Sequence, residues 1–411
     1  MVKIQIEDQE KFEDSYLKEL KDELFNMLNW LQTAISHLEG SAINMHSLDQ
    51  KRVKNYTRHL TKVIDGEQFL IKKDYDAADY VTTVANFRLR SVKLAAVNFT
   101  KLRKLLVSLL AQNGIWLNSL LICAPQDLIR AERYLAWKFQ INDPFNKRVL
   151  ELIFYKKSNP FWDIVKNFYR NHLPLIACPY CNMVVIKPIA STTKYAKTAS
   201  LDHFFDESRH PILAFCLYNL VPSDTDCNST NKNSTEFKHD YHLNPYEEGF
   251  GKHVRFKAII DPPNTVRDID LVLSLDISLE KIKRVLGDVP SYDDTHKHGN
   301  INVFQLKTLY SDKYYKDRAD EAIEDIKNMN GAMSSVRKMI QLLPFDLKRS
   351  QKAYVRWYEK KLKTPFFEKN FQNQILSKLT RDLHDEFYAK TNHPINFYIN
   401  NLIDSDEVEE L

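Results

Sequence analysis

Glycine is scarce, 8 in 411 residues, and because glycine serves turns and strand corners, its shortage predicts a helix-rich architecture. Long apolar runs are missing as well. No stretch approaches the roughly 18 uninterrupted apolar residues of a spanning helix, and residues 1–8 lack the basic start and apolar run of a secretory signal. The sequence therefore predicts no membrane span and a cytoplasmic location. Cysteine is sparse and odd in number, 5 in all, two of them as Cys178-Pro-Tyr-Cys181. That is too few and too clustered for a disulfide framework, and it suits a metal site in a reducing compartment. Charge is nearly balanced at +4, which by itself implies no nucleic-acid partner. Internal repeats and low-complexity tracts are absent too.

What is present is enough apolar content, 44% of residues, to build a sizeable core across two or three domains. Leu17, Leu20, Leu24, Leu28, Leu31, Ile35 and Leu38 recur at three- and four-residue steps, the signature of one face of an amphipathic helix. A second such run covers 87–111, with Val92, Ala95, Ala96, Phe99, Leu102, Leu106 and Leu109 on one face and Arg88, Arg90, Lys93, Lys101, Arg103 and Lys104 largely outside it. Helical texture continues over 131–139 and 161–169, and Pro174 closes this region, which places a boundary near 170. From 178 to about 260 the texture changes to short β-rich runs, 183–186 and 198–204, separated by Ser, Thr, Asn and Asp clusters. Residues 287–299 read as a loop or linker, and the remainder as helical up to an acidic tail at 404–411. Within 346–363 seven basic residues, Lys348, Arg349, Lys352, Arg356, Lys360, Lys361 and Lys363, interleave with Tyr354, Trp357 and Tyr358. That pattern suits a solvated helical face over buried aromatics or a grip on a phosphate backbone. The basic face of 87–111 carries the same pair of readings.

The chemistry concentrates between 178 and 233. Thiolates two residues apart reach one metal from a tight turn, so Cys178 and Cys181 form half of a tetrahedral zinc site by spacing, or alternatively a buried apolar pair. Cys227 is the third ligand candidate. The position three before it, where a second Cys-x-x-Cys would begin, is Asp224, an oxygen donor that serves as a candidate fourth ligand. Cys216 and Cys123 sit in apolar runs and read as buried core residues. Between the two half-sites lies Leu201-Asp202-His203-Phe204, at the end of an expected strand. There a carboxylate can hold a divalent ion while an imidazole takes a proton from water. His239, His242 and His253 are candidates for a further ligand or phosphate contact, and Lys232 and Lys238 for backbone contact or for ordinary solvated lysines.

Asp202-His203, then Pro211, then Asn219-Leu220-Val221-Pro222, then Cys227-Asn228 with Lys232, together resemble the ββα-metal core of HNH endonucleases. The resemblance implies an α+β fold, a largely helical protein around a central zinc-stapled ββα-metal module. It implies His203 as general base, Asn219 as the residue that orients it, and Asp202 and Asn228 as ligands of a catalytic Mg2+ or Mn2+. Asn228 falls nine residues after Asn219, the interval used by HNH motifs ending in Asn. The cysteines take a structural zinc role under this resemblance, with Asp224 as the departure from a four-cysteine set. Residues 243–248 and 303–310 resemble stretches that follow the motif in bacterial defence nucleases, including the HNH partner of Septu-type systems. This implies an antiphage role and an ATPase partner. The expected organisation is a helical region over 1–170, an HNH module over 171–285, a helical region over 300–403 and the tail. The expected activity is endonucleolytic hydrolysis of nucleic acid, DNA favoured and RNA the alternative. A catalytically silent, zinc-stabilised nucleic-acid-binding module and a zinc-stapled scaffold are the rival readings.

Overall fold

The spacing of Leu20, Leu24 and Leu28 puts all three on one buried stripe of α1, Gln9–Leu38. In the computed structural model, which describes residues 1–38, 99–140, 161–173, 175–186, 199–233, 235–262, 265–287, 299–342 and 347–389, this stripe packs against α2 (Phe99–Leu121) and α4 (Phe161–His172). The first half of α2 carries the expected apolar face, with Leu106 and Leu109 buried. Residues 87–98 and 404–411 lie outside the described residues, as do 288–298 of the expected loop. α2 is broken at Ala111–Gly114, where Gln112, Asn113 and Gly114 have positive φ. α3 (Leu128–Phe139) follows at an angle of 107° to the end of α2. Among the described residues no single helix is long and apolar enough to cross a membrane.

Among the described residues the architecture is mixed, mostly helical with two small antiparallel sheets. The first sheet pairs β1 (Ser200–His203), within the β-rich run expected over 198–204, with β2 (Leu220–Ser223), which the residue pattern did not mark as a strand. The second is a hairpin of β3 (Val254–Asp261) and β4 (Thr265–Leu273), the longest strand pair described. The β-rich texture over 178–260 covers β3 but stops short of β4. The signal was there in period two: Val254, Phe256 and Ala258 are buried while Arg255 and Lys257 face solvent. The run over 183–186 contributes only one bridge, Ala177 to Val185, rather than a strand.

After α5 (Leu279–Leu286) and the short turns α6 (Asn300–Val303) and α7 (Leu306–Tyr310), three longer helices follow among the described residues: α8 (Lys313–Leu342), α9 (Leu347–Leu362) and α10 (Ser377–Ala389). α8 and α10 pack on the hairpin, where Asp320 accepts the Val266 amide at 2.7 Å and Asp382 the Phe256 amide at 2.8 Å. α9 buries Val355, Tyr358 and Leu362 and exposes Arg356, Lys360 and Lys361, with Trp357 half-buried. Gly249 lets the chain pass close to residues 2 and 3, since a Cβ there would stand 2.6 Å from the Lys3 amide nitrogen.

Candidate metal and catalytic centre

β1 and β2 pair with Asp202 opposite Val221 and His203 opposite Leu220. The loop between them, 204–219, is held from inside by Asn219, which is fully buried. Its Oδ1 accepts the Phe205 amide at 2.8 Å, and its Nδ2 donates to Phe205 O at 3.2 Å and Leu213 O at 3.0 Å. The same loop is tied to the helices: Tyr16 Oη donates to Phe215 O at 2.6 Å and Tyr169 Oη to Leu217 O at 2.5 Å. Residues 243–248 support β2 from behind, with Tyr246 Oη donating to Leu220 O at 2.9 Å. Leu243 meets Asn300 at 2.7 Å.

His203 is 7% exposed. Its Nε2 lies 3.1 Å from Ala214 O, in the loop that Asn219 pins, and its Nδ1 lies 3.0 Å from Glu207 Oε2. A carbonyl oxygen only accepts, so Nε2 is the donor to Ala214 O, and Nδ1 faces a second acceptor, the Glu207 carboxylate. Trp162 packs edge-on against the ring at 5.2 Å. The arrangement supplies a tautomer fixed from one side and a carboxylate on the other.

Asp202 meets a different set of neighbours, as alternation along a strand dictates. Tyr180 Oη donates to its Oδ2 at 2.6 Å, and Lys232 Nζ reaches its Oδ1 at 2.7 Å. Burial and then the Asp202 charge hold the Tyr180 hydroxyl well above the usual tyrosine range, so it stays a donor. Lys232 also donates to His203 O and lies 4.6 Å from the centre of the Phe237 ring. This corrects the expectation of a solvated lysine. At 3% exposure, Lys232 is buried and paired, because an ammonium enclosed by protein needs a carboxylate and further acceptors beside it. Both Asp202 oxygens thus carry a donor, one of them cationic. Mg2+ or Mn2+ fits at Asp202 only with the Lys232 ammonium turned away.

The segment after β2, Asp226–Lys232, is a seven-residue π-helical turn rather than a regular α-helix. It carries Cys227 inward, Asn228 toward β1, where Nδ2 donates to Ser200 Oγ, and Lys232 back to Asp202. Cys178, Cys181 and Cys227 are all buried, with their sulfurs within 4.8 Å of one another. Among the described residues this is the one group of three or more His, Cys, Asp or Glu side chains close enough to share an ion. Burial pushes the Cys178 thiol up to about 12. Hydrogen bonds from Cys178 and Cys227 hold Cys181 well below the usual range. Amide groups add support: Met183 N donates to Cys181 Sγ and Asp224 N to Cys178 Sγ, each at 3.4 Å. Two sulfurs from one tight turn and a third from the π-helical turn fit the donor set of structural zinc. Asp224 lies close by, its carboxyl raised by burial and then by Cys178, but its Oδ2 accepts the Asp226 amide at 3.0 Å.

Asn182, next to Cys181, adopts the left-handed conformation (φ 56°) that Asn tolerates better than most residues. Its fully buried amide clasps the chain near its other end. Nδ2 donates to Phe371 O and Gln374 O, while Oδ1 accepts Ser377 Oγ and Lys378 N.

No family model, curated protein or solved structure matches the chain. The site is therefore read from its own residues. Of those singled out in the sequence, the structure brings Cys178, Cys181 and Cys227 together, sets Asn219 behind the His203 loop, and gives Asp202 and His203 separate surroundings. The other histidines have local roles: His239 pairs with Glu247 at 2.9 Å, His242 stacks on Phe237 at 4.1 Å, and His253 faces Ser274 and Asp276. Cys216 is buried as expected, whereas Cys123 is half-buried. Sequence reasoning passed over Glu207 and Tyr180. Glu207 stands four residues after His203, and Tyr180 lies inside the cysteine turn, so their positions were visible but their directions were not.

Proposed function

We propose that this chain is an HNH-type endonuclease that hydrolyses nucleic-acid phosphodiester bonds, with DNA the favoured substrate and zinc in the Cys178–Cys181–Cys227 cluster as a structural clamp. The observation that carries the reading is His203. One ring nitrogen is fixed by Ala214 O in a loop pinned by Asn219, and this reading assigns the water to the other, Nδ1, where Glu207 now stands. Further support comes from the order of two paired strands and a short helical turn that the HNH resemblance implies; Asn219 ends the turn into the second strand, and Asn228 lies on the helical turn and donates to Ser200 Oγ. In this reading a water takes the place of Glu207 at His203 Nδ1 and gives its proton to that nitrogen, and the displaced carboxylate, still nearby, stabilises the imidazolium that forms. The divalent ion implied by the resemblance, Mg2+ or Mn2+, supplies charge neutralisation at the phosphate when bound. An antiphage role with an ATPase partner rests on residues 243–248 and 303–310 alone; the first stretch supports β2 through Tyr246, and the second packs on the cysteine turn, with Phe304 stacked on Tyr180 at 4.3 Å and Tyr310 Oη donating to Cys181 O at 2.7 Å.

Purified protein incubated with supercoiled plasmid and Mg2+ or Mn2+, alongside His203→Ala, tests this. Metal-dependent nicking that the substitution abolishes is the expected outcome. Nicking that survives His203→Ala removes His203 as the base.

A second reading has its own observation. Lys232 neutralises Asp202 inside the protein, as expected of a catalytically silent, zinc-stabilised nucleic-acid-binding module. Binding of DNA or RNA with no cleavage of either, in any divalent ion, favours that reading.

A further inference from the structure

α3 has two faces of different character. Leu128, Leu135 and Phe139 are buried, whereas Arg130, Arg133, Tyr134, Trp137 and Lys138 all face solvent. Their spacing of three, four, seven and eight residues from Arg130 places all five on one side of the helix. Trp137 is 74% exposed, far beyond what a residue of its size ordinarily leaves to water. The break at Ala111–Gly114 and the 107° bend bring Trp116, itself 47% exposed, to the same surface. Lys138 Nζ joins the two helices, 5.2 Å from the centre of the Trp116 ring and 5.4 Å from that of Tyr134. Tyr134 and Trp137 lie 6.3 Å apart. Among the described residues, neither Arg130 nor Arg133 has an acidic partner, and α3's one acid, Glu132, is turned to the flank.

That flank leads to the candidate centre. Glu132 Oε2 lies 2.6 Å from His210 Nδ1, and His210 opens the turn that runs to Ala214, the acceptor of His203. Three exposed rings interleaved with three unneutralised cations match one ligand chemistry, that of exposed planar bases on a polyanionic backbone. In a duplex the base faces are stacked on one another and closed to the rings, so the match is to a single strand. We propose that Trp116, Tyr134 and Trp137, with Arg130, Arg133 and Lys138, form a platform for single-stranded nucleic acid beside the His203 loop. The proposal rests on the nucleic-acid reading of the site and names the form of strand held next to it.

The test is direct binding to the full chain carrying His203→Ala, without added divalent ions, read by anisotropy of a labelled oligothymidylate and of a matched duplex. The single strand binds more tightly than the duplex. Trp137→Ala weakens single-strand binding about fivefold or more, the loss of one stacked base. Arg130→Ala with Arg133→Ala flattens its salt dependence, and duplex affinity moves little in either variant. Circular dichroism and thermal unfolding matching the parent show that the exposed substitutions leave the fold intact. Unchanged single-strand affinity in Trp137→Ala overturns the platform. So does a loss confined to binding of anionic phospholipid vesicles, which would make the surface a lipid contact, or a concentration-dependent dimer that Trp137→Ala dissociates. Plasmid nicking with no effect of Trp137→Ala on single-strand binding removes the platform and leaves the nuclease. Single-strand binding lost in Trp137→Ala, in a parent that nicks nothing, removes the nuclease and leaves the platform.

Discussion

Lys232 Nζ stands 2.7 Å from Asp202 Oδ1 across thirty residues of chain, with both side chains at 4% exposure or less. Removing one partner of a buried pair leaves the other charge uncompensated. Lys232→Met is therefore expected to destabilise the fold by about 3 kcal/mol. The vacated carboxylate then becomes a better seat for a hard cation, so Mg2+ or Mn2+ should raise the melting temperature of Lys232→Met more than that of the parent. Equal shifts in thermal unfolding would show that the ammonium does not compete for Asp202.

Asn219→Ala strips three main-chain groups of their partners at once, in a place closed to water. The expected loss is about 3 kcal/mol in urea unfolding. Asn219→Asp should lose nearly as much, because a carboxylate cannot donate to Phe205 O or Leu213 O. A loss below about 1 kcal/mol would mean the loop is held by the tyrosines alone.

Metal content separates the cysteines. Cys227→Ser should lower the zinc retained after purification, measured by elemental analysis, and lower thermal stability with it. Cys216→Ala, outside the cluster, should leave zinc content at the parental level. Asp224→Ala should also keep its zinc, since that carboxylate already caps the Asp226 amide. Zinc lost from Asp224→Ala would make it the fourth ligand.

His239 carries a pH signature. Its hydrogen bond to the Glu247 carboxylate raises its pKa above the usual histidine range, against the opposing effect of burial. A raised folded value means that the contribution to stability is complete below the unfolded value, about 6.5, and is lost as pH rises through the folded one. The gap in melting temperature between the parent and His239→Gln should therefore be wide near about pH 5.5 and narrow near about pH 9. A gap that ignores pH would break the link to Glu247.

The helices and the cysteine cluster were legible because each rests on local spacing. Leu20, Leu24 and Leu28 fix a face, and Cys178 with Cys181 fix a turn. Direction was not legible. Lys232 looks like any surface lysine until the π-helical turn aims it at Asp202. Glu207 and Ala214 matter only through where the loop carries them. Asp202 and His203 are neighbours in sequence, yet strand alternation gives them separate company, which adjacency alone could not reveal. The exposed face of α3 was hidden for another reason: helical periodicity marks which residues are buried and says nothing of what the outer ones bind.

The clasp made by Asn182 has a consequence in the order of synthesis. The Cys178–Cys181 turn leaves the ribosome long before Phe371, whose carbonyl the Asn182 amide holds from 189 positions away. Until that distant stretch emerges, the turn lacks four of its hydrogen bonds, and the nascent centre must wait unfinished. A chain cut short before residue 371 would carry every cysteine and every candidate catalytic residue, and still lack the piece that closes the turn.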